Sequence, residues 1–162
     1  MEAKEFKNLA LEVTLKCVDR RPEDWFTFND KMNTHFVKDD YQPQNIRIDK
    51  DELPIIECDL DDSYFLITTD RIISINEGIF DSVNFFNMFD FCGTNEKLNY
   101  RNTNEELPKI DTLCIKKVDG RKLIAKIDSH YPSFFTKILI YNILVYKKEG
   151  RWYLNPGKRD YE

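Results

Sequence analysis

The spacing of apolar side chains changes once along this chain, and that change constrains the fold more than any other feature. In residues 3–18 apolar side chains recur every three or four positions, at Phe6, Leu9, Ala10, Val13 and Cys17. This is the period of an amphipathic helix. After residue 45 the period falls to two, which is typical of strands. The pattern predicts an α+β fold in which helices precede an antiparallel sheet.

A second helix is predicted from Pro22, which suits a helical first turn. Its apolar stripe would consist of Trp25, Phe28, Met32 and Phe36. His35 would then lie near the end of this helix, where a histidine often caps free carbonyls. Residues 1–38 are therefore expected to form a helical N-terminal cap on a single domain that spans 1–162.

The sheet is predicted within residues 45–155. Short strands are indicated at 46–48, 56–60, 64–68, 71–75, 110–118 and 121–128, and residues 82–91 are expected to be extended. Thr69-Asp70 and Asp119-Gly120 separate two pairs of these strands. Asp119-Gly120 is the clearest hairpin signal and predicts a two-residue turn of type I′. The polar segment 93–108 is predicted to be a long loop.

Residues 131–148 carry signals for both kinds of structure. Their β-branched and aromatic residues favour a strand. Pro132, the length of the segment and the helical spacing of Phe135, Ile138 and Leu139 favour a helix. We take a helix that is apolar nearly all round and therefore buried on two sides. Trp25, Phe28 and Phe135 should be buried where this element meets the N-terminal helices.

Length and cysteine usage indicate an intracellular protein. A chain of 162 residues is long enough to bury a stable core without disulfide bonds or a structural metal ion. Its start has no apolar signal region, and its longest apolar stretch, 138–146, is far shorter than the ~20 residues that span a bilayer. The four cysteines at 17, 58, 92 and 114 form no CxxC pair. We expect four reduced thiols and a cytoplasmic location.

No catalytic, metal or cofactor signature is found in the sequence. The adjacent residues Asp128, Ser129 and His130 are the three residue types of a Ser-His-Asp catalytic triad. Side chains of adjacent residues point in different directions and cannot form the hydrogen-bonded relay of a triad, so a turn or a helix N-cap is expected. The carboxylates of 59–62 lack the glycine and closing glutamate of a calcium loop. C-terminal basic residues are diluted by acids, which argues against nucleic-acid binding. The chain is expected to be no enzyme and to bind no cofactor, nucleic acid or membrane.

Negative charge is concentrated in one segment. Residues 39–70 hold ten acids and two bases, a net charge of −8, whereas the rest of the chain holds 22 bases and 19 acids, a net of +3. Such a segment attracts a basic protein partner and repels phosphates. The predicted partner-binding acidic face consists of Asp49, Asp51, Glu52, Glu57, Asp59, Asp61 and Asp62.

The count of strands followed by a helix resembles the pleckstrin-homology-like plan, in which antiparallel strands form a barrel or sheet closed by a C-terminal helix. The segment 65–75 is similar to the strand–turn–strand of bacterial members. The resemblance implies a phosphoinositide loop, but the matching segment 49–54 has one lysine among three acids. A competing resemblance is the nuclear-transport-factor-like α+β cone, which requires 134–147 to be strand and ends in a hairpin at 146–153.

Three functions remain open at this level. The first is a non-catalytic protein-binding module, more narrowly a cytoplasmic immunity protein that neutralises a basic toxin domain. The second is a scaffold or accessory domain whose acidic face is merely solvated. The third is a small cone-fold enzyme with an Asp or His pocket, which a deep pocket would reveal. The sequence indicates neither the partner nor the oligomeric state.

Overall fold

A computed structural model describes residues 1–18, 32–92 and 109–154 of the chain. The helices are α1 (Ala3–Cys17) and α2 (Tyr131–Glu149). The strands are β1 (Thr34–Phe36), β2 (Pro54–Asp59), β3 (Ser63–Thr68), β4 (Arg71–Asn76), β5 (Ile79–Asn84), β6 (Met88–Cys92), β7 (Ile110–Lys117) and β8 (Lys122–Asp128). A 3₁₀ turn, Phe85–Asn87, joins β5 to β6.

Two antiparallel sheets face one another. The first contains β1 to β5 in sequence order, and the second contains β6 to β8. Strand β8 lies against β3 and β4, where the Ser74 hydroxyl donates a hydrogen bond to the Ile124 carbonyl at 2.6 Å. The α+β class and the antiparallel sheets are thus confirmed, and the sheets do not close into a barrel.

One continuous core fills the space between the sheets and the helices. The first sheet contributes the fully buried Phe65 and Ile72, the second contributes Leu123, and α2 contributes Phe135 and Leu139. In β3 and β4 alternate residues face this core and those between them face a second cluster, because side chains on a strand point to opposite faces with a period of two. The predicted burial of Phe135 is confirmed, whereas Trp25 and Phe28 lie outside the described residues.

Helix α2 is held against α1, and the prediction of a helix over 131–148 is confirmed. Pro132 lies in its first turn, and Gly150, with a φ of 73°, ends it in the left-handed conformation. The Asn142 side chain, which interrupts the apolar run, donates a hydrogen bond to the Thr14 hydroxyl of α1 at 3.2 Å. The cone alternative, which required strand at 134–147, is therefore wrong.

The segment between β1 and β2 covers the outer face of the first sheet. Ile46 and Ile48 pack on a second apolar cluster made by Tyr64, Leu66 and Ile73. The predicted strand at 46–48 is wrong, because these residues pair with no other strand. The alternation that suggested a strand is nevertheless visible in their burial, since both isoleucines are half-buried and the residue between them is exposed.

The predicted second helix is wrong at its C-terminal end. Thr34–Phe36 forms β1, which pairs with β2, and the rest of the predicted helix up to residue 31 lies outside the described residues. Phe36 still packs into the core, with its ring 5.2 Å from the ring of Phe135. His35 lies opposite Glu57 in the sheet and caps no helix. The range 1–38 is therefore not wholly helical.

Two of the four cysteines are bonded to each other, which corrects the expectation of four reduced thiols. Cys92 and Cys114 are paired residues on the neighbouring strands β6 and β7, and a disulfide joins them. The sequence does not predict this bond, because the two cysteines meet only through the register of β6 against β7. Cys17 and Cys58 are free thiols, and burial raises the pKa of Cys58 to about 12.

The hairpin at Asp119-Gly120 forms, but not with the expected two-residue turn. The Gly120 amide bonds to the Lys117 carbonyl, and the Lys117 amide bonds to the Arg121 carbonyl, so three residues lie between the bonded ends. This is a turn followed by a left-handed glycine, with a φ of 89° at Gly120. The pair of positive φ angles that defines a type I′ turn occurs instead at Glu77 (52°) and Gly78 (77°).

Replacing Gly120 with valine should lower the free energy of unfolding by about 1–3 kcal/mol, because a β-branched residue is strained at positive φ. No heavy atom lies within 4 Å of the position that a Cβ would occupy, so the loss would come from the backbone conformation. Gly120→Asn is the matched control and should lose less, since asparagine tolerates this conformation. Urea unfolding measures both, and equal stability of Gly120→Val and the wild type would contradict the assigned turn.

Candidate protein-binding surface

Two tight turns lie side by side at one end of the five-stranded sheet. Asp61-Asp62 joins β2 to β3, and Glu77-Gly78 joins β4 to β5. The turns are neighbours because Ser63, which begins β3, pairs with Asn76, which ends β4. Two strand spacings, roughly 10 Å, separate their centres. We name the four carboxylates at this end, Asp59, Asp61, Asp62 and Glu77, the acidic rim.

The acidic rim is exposed and only weakly compensated. All four of its residues are exposed to solvent. Among the described residues one ion pair reaches it, between the Lys126 ammonium and an Asp62 oxygen at 3.7 Å. Exposed pairs of this length contribute little. The rim therefore presents concentrated negative charge to solvent.

Glu57 lies behind the rim and serves the fold. It is half-buried on the outer face of β2, where its carboxylate accepts hydrogen bonds from the hydroxyls of Tyr41 at 2.7 Å and Tyr64 at 2.5 Å. Burial and the hydrogen bond to Glu57 raise the pKa of both tyrosines well above the usual value. Because both tyrosine hydroxyls donate to this carboxylate, Glu57 holds the segment between β1 and β2 in place and is not available to bind a partner.

Glu52 is removed from the predicted acidic face by burial. The residue is 3% exposed. Its carboxylate accepts hydrogen bonds from Arg71 Nε at 2.8 Å and from the Thr68 hydroxyl at 2.5 Å, and a further one from the Asp49 amide at 3.1 Å. Burial by itself would raise the pKa of Glu52, but these donors together lower it. The pair with Arg71 fixes the segment before β2 to the start of β4.

Asp49 and Asp51 are exposed but lie at the opposite end of β2 from the acidic rim. A strand of six residues places its two ends roughly 17 Å apart. The seven residues predicted as one face are therefore divided: Asp59, Asp61 and Asp62 meet at one end, and Asp49 and Asp51 at the other. Glu77 belongs to the rim and was missed, although Glu77-Gly78 between Ile75 and Ile79 is itself a turn signal.

Two open grooves are candidates for a catalytic site. The larger, of about 570 Å³, has Arg71, Lys117 and Arg121 in its lining, and each of these cations is paired with a carboxylate. The smaller, of about 390 Å³, lies between the start of α1 and the end of α2. Neither histidine lines either groove. Within the described ranges, no three His, Cys, Asp or Glu side chains converge so as to hold a metal ion.

The Asp128-Ser129-His130 run forms no relay. The Asp128 carboxylate is buried and accepts hydrogen bonds from Asn33 and Thr34, while His130 is exposed at the position before α2.

In the parts of the chain that the structure describes, neither helix has the length and apolar character needed to cross a bilayer. No protein family matches the chain, and no match is found among curated proteins or solved structures.

Replacing Glu52 with glutamine should lower the free energy of unfolding at neutral pH by about 2–4 kcal/mol, because Arg71 loses its buried partner. The pKa of Glu52 lies below its usual value in the folded state, so its stabilisation is present above that usual value and is lost as the pH falls. Urea unfolding at several pH values should show that Glu52→Gln loses less stability on acidification than the wild type. Parallel curves for the two proteins would count against the buried pair.

The tyrosines beside Glu57 should titrate after the exposed ones in an ultraviolet absorbance titration. Since the folded-state pKa of each is raised, their stabilisation is present below the usual value near 10 and is lost as the pH rises further. Tyr64→Phe should therefore flatten the alkaline loss of stability. Tyr153→Phe, at an exposed position, is the control and should leave that loss unchanged.

Proposed function

We propose that this chain is a non-catalytic protein-binding module that binds a basic partner through the acidic rim. The observation that carries the proposal is the meeting of Asp59, Asp61, Asp62 and Glu77 at two adjacent turns with one weak cationic partner among the described residues. Charge of one sign on a rigid surface speeds association with a partner of the opposite sign.

The backbone at the acidic rim is well fixed, which supports a binding role. The Asp59 amide donates to the Asn33 carbonyl at 3.1 Å, and the Leu60 amide donates to the Ser63 carbonyl at 2.9 Å. A pre-formed surface loses little conformational entropy when a partner docks. The backbone that carries Asp59, Asp61 and Asp62 therefore needs no rearrangement before contact.

The narrower proposal is that of a cytoplasmic immunity protein whose rim covers the cationic site of a toxin domain. The last four strands of the five-stranded sheet, the three strands of the second sheet and the C-terminal helix support the pleckstrin-homology-like plan as part of this proposal, with β1 as an additional strand. Lipid binding is not carried over, because the rim would repel anionic headgroups. The Cys92–Cys114 disulfide is the observation that counts against a cytoplasmic location.

Reversing charge at the acidic rim should slow association with a basic partner at least tenfold at low salt and remove most of its salt dependence. The variant is Asp61→Lys with Asp62→Lys, and the partner is the product of the neighbouring gene. Both sites are exposed, so the melting temperature should change little. Stopped-flow mixing measures the association rate.

The matched control carries Asp49→Lys and Asp51→Lys, which changes the net charge equally at the other end of β2. This control should associate faster than the rim variant. Equal slowing in both variants would mean that the net charge of the protein, and not the position of the acidic rim, controls the association rate. Unchanged association in the rim variant would favour the scaffold alternative, in which the acids are only solvated.

A further inference from the structure

The acidic rim continues into apolar surface on the outer face of the first sheet. Register places Asp59 opposite Tyr64, Tyr64 opposite Ile75, and Ile75 opposite Phe80. These four residues form one row across four strands, roughly 15 Å long. The row begins at a carboxylate of the rim and ends at an aromatic ring.

The segment between β1 and β2 covers the middle of this row but leaves its last residue, Phe80, exposed. Ile46 and Ile48 of the covering segment pack on the cluster that contains Tyr64, which is 6% exposed, and Ile75 is half-buried at the edge of that cluster. Phe80, on the same outer face, is 55% exposed. Its neighbour Ile79 is 70% exposed but points to the opposite face of the sheet, because successive residues of a strand alternate. The apolar outer face therefore reaches solvent directly beside the rim.

Two of the other exposed phenylalanines differ from Phe80 in their surroundings. Phe86 and Phe89 each lie beneath a lysine ammonium, at 5.7 Å from Lys147 and 5.6 Å from Lys116. Among the described residues, no ring or ammonium contact of this kind involves Phe80. Large exposed apolar side chains beside a charged border are typical of interaction sites.

We propose that Phe80 and the exposed part of Ile75 receive an apolar side chain of the same basic segment that the acidic rim binds. This inference rests on the proposed function and adds the chemistry of the partner: lysine or arginine side chains alternating with large apolar ones. The rim selects a polypeptide over an anionic membrane or a nucleic acid, since it repels both of these. The carboxylates act on encounter, and the apolar pair acts on residence time.

Two labelled peptides of about eight residues test the proposal by fluorescence anisotropy. One alternates lysine with leucine and the other alternates lysine with serine, so that the two carry equal charge. The wild type should bind the lysine–leucine peptide about tenfold more tightly, which corresponds to burying roughly one apolar side chain. Phe80→Ser should abolish this preference and leave the affinity for the lysine–serine peptide unchanged.

Phe134→Ser is the control, because this phenylalanine is similarly exposed on α2, and it should keep the tenfold preference. Ile79→Ser is a second control, because this exposed residue is next to Phe80 in β5 but points to the opposite face, and it should also keep the preference. Equal affinity of the wild type for both peptides overturns this inference and leaves the acidic rim in place. Failure of both peptides to bind overturns the proposed function as well. Equally tight binding of a glutamate–leucine peptide would mean unselective apolar adhesion and would also overturn the inference.

Discussion

The buried carboxylate of Asp128 joins the two sheets, and the geometry of the candidate surface depends on it. Asp128 ends β8 and is 4% exposed. It accepts hydrogen bonds from the Asn33 amide at 3.0 Å, from the Asn33 side chain at 3.1 Å and from the Thr34 hydroxyl at 2.6 Å. A buried carboxylate is tolerated only when its oxygens are satisfied in this way. Loss of the Asp128 carboxylate would leave these three donors at the start of β1 without their acceptor.

The same contact positions the acidic rim. Asn33, held by Asp128, accepts the amide hydrogen of Asp59 at the end of β2. The turn that follows carries Asp61 and Asp62, and the neighbouring turn carries Glu77. A core interaction is thus linked through one residue to the surface that we propose binds a partner. Rigid support of this kind is what allows surface charge to act at encounter.

The acidic segment 39–70 has two separate uses in the fold. Some of its carboxylates fasten the irregular segment between β1 and β2: Asp39 to the buried ammonium of Lys7 at 2.7 Å, Glu57 to Tyr41, and Glu52 to Arg71. These contacts hold a segment that has no strand ladder of its own. The four carboxylates of the acidic rim are exposed instead, and among the described residues the one ion pair that reaches them is that of Asp62 with Lys126 at 3.7 Å. Net charge along the sequence therefore overstates the charge that a partner meets.

Periodicity and turn residues alone determined much of the fold. The period of three to four predicted α1, and the period of two with Thr69-Asp70 and Asp119-Gly120 predicted two of the hairpins. These signals are local, because they depend on neighbours within one or two turns of chain. The same local reasoning was wrong at 34–36, where an apolar stripe at helical spacing became β1 because pairing with β2 overrode the pattern. It was also wrong at 46–48, where side-chain burial alternates as in a strand but the residues form no strand hydrogen bonds with the described part of the chain.

Only the tertiary structure decided which acids form a surface. Asp49, Glu52, Glu57 and Asp61 look alike in the sequence, yet one is buried against Arg71, one is bonded to two tyrosines, and two are exposed at opposite ends of a strand. The Cys92–Cys114 bond and the row from Asp59 to Phe80 likewise depend on strand register. The physical reason is that burial, pairing and register arise from residues far apart in the chain. Composition and spacing record which groups are present, and the fold determines which of them reach solvent together.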